Sequence, residues 1–280
     1  MKMQLKRKLF QAIIYILLIL LAIYTLAPLV FLFINSFKSN GEIVNSPTAL
    51  PEKWSFCYIA SAMKSINYFQ SLGITFIVTV ASVVLLVGVS SLCAWAMVRC
   101  KTRASTILFM CFTAAMLIPF QSVVYPLLNE FDMLGMKNIY GLVIMYGGFG
   151  LSMSVFLYHG FFKSVPVSLE EAAILEGANT LQLFFGVVFP LVKGITVTVV
   201  ILNTMWIWND YLLPFLVIGN ENGIKTLTLE LYFAKLTSGQ YGNPWELIFP
   251  AVFITIIPII VLYIFLQKYI IKGVSDGAVK

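Results

Sequence analysis

Residues 9–37 read LFQAIIYILLILLAIYTLAPLVFLFINSF, a run of 29 residues without a charged side chain. A helix that crosses the hydrocarbon core of a bilayer needs about 20 apolar residues. The run is also much longer than the apolar region of a secretory signal peptide, which is about 7–15 residues, and no clear cleavage site follows it. Residues 9–37 therefore predict an uncleaved transmembrane helix.

The composition of the whole chain agrees with a membrane protein. Of its 280 residues, 60% are hydrophobic and 11% are charged, and the mean hydropathy is +0.93. Soluble domains carry about 25% charged residues, so a soluble or disordered chain is excluded. The net charge of +6 comes from basic residues between the apolar runs, which indicates membrane topology rather than nucleic-acid binding. The four cysteines lack metal-site spacing, so no metal site is predicted.

Similar charge-poor runs recur along the chain. Five runs are long enough to span a bilayer unaided, and the fifth in order is interrupted by Asp210 but stays apolar to Gly219. We therefore predict an all-α membrane protein with six transmembrane helices, in which residues 1–280 form a single domain. The predicted helices comprise residues 9–37, 68–98, 104–127, 138–162, 192–219 and 246–268.

The distribution of positive charge orients these helices. Six helices place both termini on one side of the membrane, and the termini and loops of that side carry 12 of the 18 Lys and Arg residues. Cytoplasmic loops are enriched in Lys and Arg. Both termini and the loop at residues 163–190 are therefore predicted to be cytoplasmic.

The loop after the fourth predicted helix contains the signals of a short helix. Ser168 and Glu171 have the S-x-x-E spacing of a capping box, which predicts a helix start at Ser168. Gly177 is placed to end that helix in a left-handed conformation, and Asn179 or Thr180 can cap the next one. An isolated helix of about two turns is unstable. The residues alone therefore leave two interpretations, a surface loop that caps itself or a helix that docks on a soluble partner.

The same loop resembles a known motif, the EAA motif of ABC importer permeases, which is E-A-A-x3-G-x9-I-x-L-P. The matching residues are Glu171-Ala172-Ala173, then Gly177 after three residues, then Val187-Val188-Phe189-Pro190 after nine more. The two departures, Val187 for Ile and Phe189 for Leu, keep an apolar residue. Residue types, spacing and loop placement all agree with the family.

Further segments are similar to one subgroup, the maltose-type permeases for oligosaccharides and multiple sugars, and to the smaller of their two permeases. These segments are residues 160–166, 208–214 and the tail at 267–280. The resemblance implies the type I importer permease fold with a cytoplasmic coupling helix. It also implies a bacterial cell (inner) membrane location and transport rather than enzymatic activity.

In that family the EAA segment is the helix that contacts the ATPase. Carried over, the residues that couple to the ATPase are Glu171, Ala172, Ala173, Gly177 and Pro190. The implied partners are a second homologous permease, a cytoplasmic ATPase dimer, an extracellular sugar-binding protein and membrane lipid, with no nucleic acid. No cofactor is implied in this chain, because ATP and Mg²⁺ bind the partner ATPase.

An outer loop also has a counterpart in the family. Residues 232–245 correspond in position to a loop that enters the sugar site of the binding protein. Its tip would be formed by Gly239, Gln240, Tyr241 and Gly242. An outer loop without this role is the alternative.

Asp210 is the one clearly intramembrane charge in the predicted spans, and Trp206 and Asn209 lie beside it. These residues form a possible substrate path, because aromatic side chains stack on sugar rings. An interfacial aromatic belt explains the same residues without such a function. His159, the only histidine, has no carboxylate or second histidine at helical spacing, so a metal or acid–base role is not expected.

Two other functional classes fit the sequence less well than an ABC sugar importer. A secondary transporter needs intramembrane ionisable residues for ion coupling, and this sequence offers one. An intramembrane enzyme needs paired carboxylates, an H-E-x-x-H motif or a placed Ser–His pair, none of which the sequence contains. An ABC permease for a solute other than sugar remains an alternative.

Overall fold

The computed structural model describes residues 2–219, 223–238 and 243–278. Every regular element within these residues is a helix, and no strand occurs among them. The first seven helices are α1 (Lys2–Asn35), α2 (Asn40–Asn45), α3 (Cys57–Ser65), α4 (Tyr68–Arg99), α5 (Arg103–Ala115), α6 (Phe120–Met133) and α7 (Ile139–Phe162). The remaining helices are α8 (Val167–Leu175), α9 (Thr180–Gln182), a π-helix (Leu183–Val188), α10 (Phe189–Leu191), α11 (Lys193–Asn209), α12 (Leu212–Val217), α13 (Leu227–Ser238) and α14 (Trp245–Ala278).

Four helices are individually long and apolar enough to cross a membrane, namely Arg7–Asn35 within α1, α4, α7, and Trp245–Phe265 within α14. Two bent pairs also qualify if each is counted as one span, which gives up to six spans in the described part of the chain. One pair is α5 with α6, bent by 106°, and the other is Thr180–Leu191 with α11, bent by 80°. The predicted all-α membrane class is confirmed.

The third predicted span, residues 104–127, is not one continuous helix. α5 ends at Ala115, a turn follows, and α6 begins directly after Pro119. Proline has no N–H to donate and disfavours helical backbone in the residue before it. The helix therefore breaks here, and α6 continues to Met133, beyond the predicted end.

The fifth predicted span, residues 192–219, is interrupted as well. α11 ends at Asn209, Asp210 has an extended backbone, and α12 begins at Leu212. The break falls at the charge that interrupts the apolar run in the sequence. α12 is only six residues long and ends at Val217.

The chain forms two compact units. The first contains Met1–Phe69 and Glu230–Pro258, and the second contains Gln70–Leu229 and Ile259–Lys280. The predicted coupling loop and Asp210 both belong to the second unit.

In the first unit, buried polar side chains fix the segment that follows α1. The Nζ of Lys38 donates to the carbonyl of Ser46 at 2.9 Å, and the Nδ2 of Asn35 donates to the carbonyl of Pro47 at 3.0 Å. Lys38 and Asn35 are both fully buried. Backbone carbonyls thereby replace the water that these groups lose on burial.

The second unit contains two apolar clusters. The first is formed mainly by α4, α6, α7 and α12 and includes Leu86, Leu142, Tyr146 and Leu213. The second is formed by α4, α7, the π-helix and α11 and includes Ala94, Tyr158, Phe184, Val188 and Val199. The loop helix α8 packs against the second cluster through Ala173.

A close helix contact in this unit depends on Gly150 of α7. A Cβ atom built on Gly150 would lie 2.6 Å from the Oδ1 of Asn203 and 2.8 Å from a methyl group of Leu86. Asn203 is held by hydrogen bonds from its Nδ2 to Ser154 Oγ at 3.1 Å and to the Val199 carbonyl at 2.8 Å. Small residues at helix contacts let membrane helices approach closely.

We expect Gly150→Val to destabilise the protein by about 1–3 kcal/mol, because the added atoms overpack this contact. The measurement is the thermal unfolding midpoint of the purified protein in detergent. Gly148→Val is the matched control, since a Cβ on Gly148 meets nothing within 4 Å. Equal midpoints for the two variants would contradict the close contact.

Candidate functional site

α8 begins one residue earlier than the sequence predicts, and without a side-chain cap. Pro166 occupies the N-cap position with an extended backbone, and Val167 is the first helical residue. Ser168 therefore lies inside the helix, so the predicted capping box between Ser168 and Glu171 is wrong. The reason is that Pro166 already fixes the backbone at the entry to the helix.

The predicted end of α8 is confirmed. Gly177 has φ +88°, in the left-handed region. Its N–H donates to the carbonyl of Ile174 at 2.9 Å, and the N–H of Ala178 donates to the carbonyl of Ala173 at 3.0 Å. These two bonds form a Schellman motif, which satisfies carbonyls at the end of the helix.

The next helix also has the predicted cap. The Oδ1 of Asn179 accepts from the N–H of Gln182, and the Oε1 of Gln182 accepts from the N–H of Asn179, both at 2.9 Å. Of the two candidates in the sequence, Asn179 and Thr180, the structure thus uses Asn179. The end of α8 and the start of α9 are therefore joined by only four residues of defined conformation, 176–179.

The side chains of α8 divide into an exposed face and a packed face. Glu171 and Ala172 are exposed, and Ile174 and Leu175 are 56% and 89% exposed. Ala173 is instead half-buried and packs against the second apolar cluster. Adjacent helical residues point about 100° apart, so Ala172 and Ala173 lie on different sides of α8.

The sequence did not reveal the role of Glu170, which forms a buried ion pair. Its Oε1 accepts from Nε of Arg99 at 2.8 Å and from Nη2 of Arg99 at 2.6 Å. The indole N–H of Trp95 lies 3.3 Å from its Oε2, and Nη2 of Arg99 also donates to the carbonyl of Val165 at 3.1 Å. The sequence contained one weak signal for this contact, which is the position of Arg99 directly after the second predicted span.

The second half of the EAA pattern lies on other elements than the first half. Val188 is fully buried in the π-helix, and Val187 and Phe189 pack against the same cluster. Pro190 lies in α10 and is exposed. Pro190 is thus not part of α8, and the apolar positions before it anchor the segment.

Asp210 acts as a cap between α11 and α12. Its Oδ1 accepts from the N–H of Leu212 at 2.9 Å, and its Oδ2 accepts from the N–H of Leu213 at 3.3 Å. The hydroxyl of Tyr146 also donates to Oδ2, at 3.0 Å. The carboxylate therefore has three partners within this chain, as expected for a charge at membrane depth.

The other two predicted path residues are more accessible. Trp206 is 39% exposed and packs edge-on against Tyr146, with 5.5 Å between the ring centroids. Asn209 is exposed, and its Nδ2 donates to the carbonyl of Met205 at 2.7 Å. Tyr146 thus contacts both Trp206 and Asp210, whereas Asn209 bonds within α11.

His159 stacks on Phe109 with 3.6 Å between ring centroids, which is a packing role. The predicted binding-protein loop residues Gly239, Gln240, Tyr241 and Gly242 lie outside the described residues.

The fold and the site together define a class of protein. The chain is a helical membrane protein whose fourth and fifth predicted spans are joined by a rigidly capped helix with exposed apolar residues. The fold and this loop helix thus define a multi-pass helical membrane protein.

Comparisons with known proteins identify the family. Residues 86–276 match the family "Binding-protein-dependent transport system inner membrane component". The chain is 38% identical over 262 residues to the probable starch degradation products transport system permease protein AmyC of Thermoanaerobacterium thermosulfurigenes, covering 94% of each chain. It is 33% identical over 271 residues to the multiple sugar-binding transport system permease protein MsmG of Streptococcus mutans, covering 95% of this chain and 96% of the relative.

A solved structure supports the fold. It is the crystal structure of a bacterial ABC transporter involved in the import of the acidic polysaccharide alginate, with a TM-score of 0.80 and 23% identity. The match covers 94% of this chain and 96% of that chain. The protein belongs to the family of inner membrane components of binding-protein-dependent transport systems, and its resemblance to ABC importer permeases is confirmed. It is a transport subunit and not an enzyme.

We expect Gly177→Val to reduce solute uptake by the assembled transporter strongly while leaving membrane insertion intact. A left-handed backbone costs a β-branched residue about 1–2 kcal/mol, and relief of that strain would shift the end of α8. The measurement is uptake at equal protein level in the membrane. Gly177→Asn is the matched control, because Asn tolerates this conformation. Uptake by the Val variant at the level of the Asn variant would count against a role for this cap.

Proposed function

We propose that this chain is one of two permease subunits of an ATP-driven importer for oligosaccharides or multiple sugars. The observation that carries the proposal is the exposed apolar end of α8, where Ile174 and Leu175 are 56% and 89% exposed. Exposed apolar residues on a well-fixed element mark a protein interaction site. The partner that fits such a helix in this family is a cytoplasmic ATPase dimer.

The ATPase supplies the energy. The sequence has no G-x4-G-K-[ST] loop for binding phosphates, so ATP and Mg²⁺ are assigned to the partner ATPase and no cofactor to this chain. Closure of the ATPase dimer on ATP displaces α8, and the permease changes between inward-open and outward-open states. Burying Leu175 in the ATPase contributes about 1.5–3 kcal/mol to docking.

The residues of the EAA pattern have separate tasks in this proposal. Glu171 and Ala172 are exposed beside the apolar residues and contact the ATPase directly. Ala173 holds α8 on the second apolar cluster, and Gly177 sets the end of the helix. Pro190 acts at a distance from α8, where the chain returns toward α11.

Sugar as the solute is supported by the names of the relatives. Besides the two above, they include a diacetylchitobiose uptake permease of Streptomyces coelicolor and a melibiose/raffinose/stachyose import permease of Bacillus subtilis, at 30% and 33% identity. In this proposal Trp206 and Asn209 face the passing sugar. Asp210 positions both residues by capping the break that follows α11.

The proposal also includes the orientation of the chain in the membrane and two partners besides the ATPase. The excess of Lys and Arg in one set of loops favours cytoplasmic termini and a cytoplasmic α8. The opposite face receives an extracellular sugar-binding protein, with Gly239, Gln240, Tyr241 and Gly242 as the contacting loop. A second, homologous permease completes the path across the membrane.

We expect Leu175→Asp to abolish ATP-driven oligosaccharide uptake and to weaken copurification of the ATPase. The side chain is almost wholly exposed, so folding of the chain itself should be unaffected. The measurements are uptake into proteoliposomes and the amount of ATPase retained on the purified permease.

Leu134→Asp is the matched control, because Leu134 is also exposed, at 68%, but lies in a loop predicted to face outward. It should leave both measurements unchanged. Normal ATPase retention and normal uptake by Leu175→Asp would overturn the proposed role of α8.

A further inference from the structure

The ion pair between Arg99 and Glu170 joins two elements that are far apart in sequence. Arg99 is the last residue of α4, and Glu170 lies in the first turn of α8. Their side chains are only 19% and 7% exposed. Within the described residues, every hydrogen bond that joins α8 to α4 ends on the Glu170 carboxylate.

The geometry of the pair defines one position of α8 relative to α4. Two guanidinium nitrogens of Arg99, Nε and Nη2, donate to the same carboxylate oxygen, and the planar guanidinium allows few alternative arrangements. Trp95, one turn before Arg99 on α4, donates to the carboxylate from a second direction. The Trp95 ring also packs on Phe184, with 5.2 Å between centroids.

A gain in folding stability does not by itself explain a buried ion pair at this position. Desolvation of two charges largely offsets their attraction, and apolar residues of similar size would often stabilise the contact as well. What a buried, hydrogen-bonded ion pair adds is a defined geometry, because any displacement of one partner leaves a buried charge uncompensated.

The carboxylates of Glu170 and Glu171, which are adjacent in sequence, have opposite environments. Glu171 is exposed and available to a partner, whereas Glu170 is buried and committed to Arg99. α8 is joined covalently to α9 through Gly177, but its connection to α4 is non-covalent and crosses 71 positions of sequence. The polar part of that connection consists of the hydrogen bonds to the Glu170 carboxylate.

We infer that Arg99, Trp95 and Glu170 form a mechanical link that transmits the displacement of α8 to α4. We call these three residues the α4–α8 link. The inference rests on the proposed function, since it assigns the path by which movement of the ATPase reaches a membrane-spanning helix. The three residues are positioning residues, and none of them needs to touch ATP or the solute.

The test uses the complete transporter in proteoliposomes, with the ATPase, the sister permease and a loaded binding protein. The readout is solute transported per ATP hydrolysed, measured together with copurification of the ATPase. A residue that only supports folding would change the amount of complex and leave this ratio unchanged.

Glu170→Gln and Arg99→Gln are each expected to lower the ratio by about tenfold while the ATPase still copurifies, since each leaves one buried charge without its partner. The exchange of charges, Arg99→Glu with Glu170→Arg, should recover at least about threefold over either single variant, as coupled residues do in a double-mutant cycle. Glu176→Gln and Lys101→Gln are the matched controls on exposed residues of the same segments and should behave as wild type.

If the Gln variants fail to assemble, two milder variants test the α4–α8 link instead. Trp95→Phe keeps the aromatic packing but removes the indole donor, and Arg99→Lys keeps the charge but loses the two-nitrogen contact. Both should lower the ratio by about twofold or more, because hydrogen bonds to a charged group are the strong ones. A ratio equal to wild type in the single variants that assemble would overturn the link.

The outcome also separates this inference from the proposed function. If Leu175→Asp abolishes uptake while Glu170→Gln leaves the ratio unchanged, α8 docks on the ATPase and only the link is wrong. If Leu175→Asp has no effect on uptake or ATPase retention, the proposed function itself is wrong.

Discussion

The structure depends on how a nine-residue helix outside the membrane is held in place. α8 is too short to be stable by itself, so its position is set by contacts with other elements. The Schellman motif at Gly177 fixes one end, Ala173 packs on an apolar cluster, and Glu170 pairs with Arg99. Ala173 and Glu170 are engaged within the chain, whereas Ile174 and Leu175 remain exposed.

The membrane imposes a complementary constraint. Backbone polar groups in lipid must be satisfied within the protein, so a break in a spanning helix needs its own hydrogen-bond partners. Asp210 provides them at the break between α11 and α12, where it accepts from two backbone N–H groups and from Tyr146. The charge that interrupts the fifth apolar run is thus a structural cap, and it places Trp206 and Asn209 beside the break.

The sequence was most informative where a local rule decides the outcome. The apolar runs predicted the membrane helices, and the glycine at 177 and Asn179 predicted the end of α8 and the next cap. Residues 104–127 were predicted as one continuous span because hydropathy does not register the change of direction between α5 and α6. Glu170 was missed because its partner, Arg99, is distant in sequence, and the capping box was wrong because Pro166 moved the helix start by one residue. Long-range pairs are set by tertiary structure, whereas the start of α8 is set by the backbone of Pro166.

In the proposed function α8 faces the cytoplasm and is bound by an ATPase. The most direct measurement places a photo-activatable amino acid at position 175 in the assembled transporter and identifies what it cross-links on illumination. We expect a cross-link to the ATPase subunit, and none when the probe replaces Leu134. Cross-linking of position 175 to lipid or to the extracellular binding protein would contradict it.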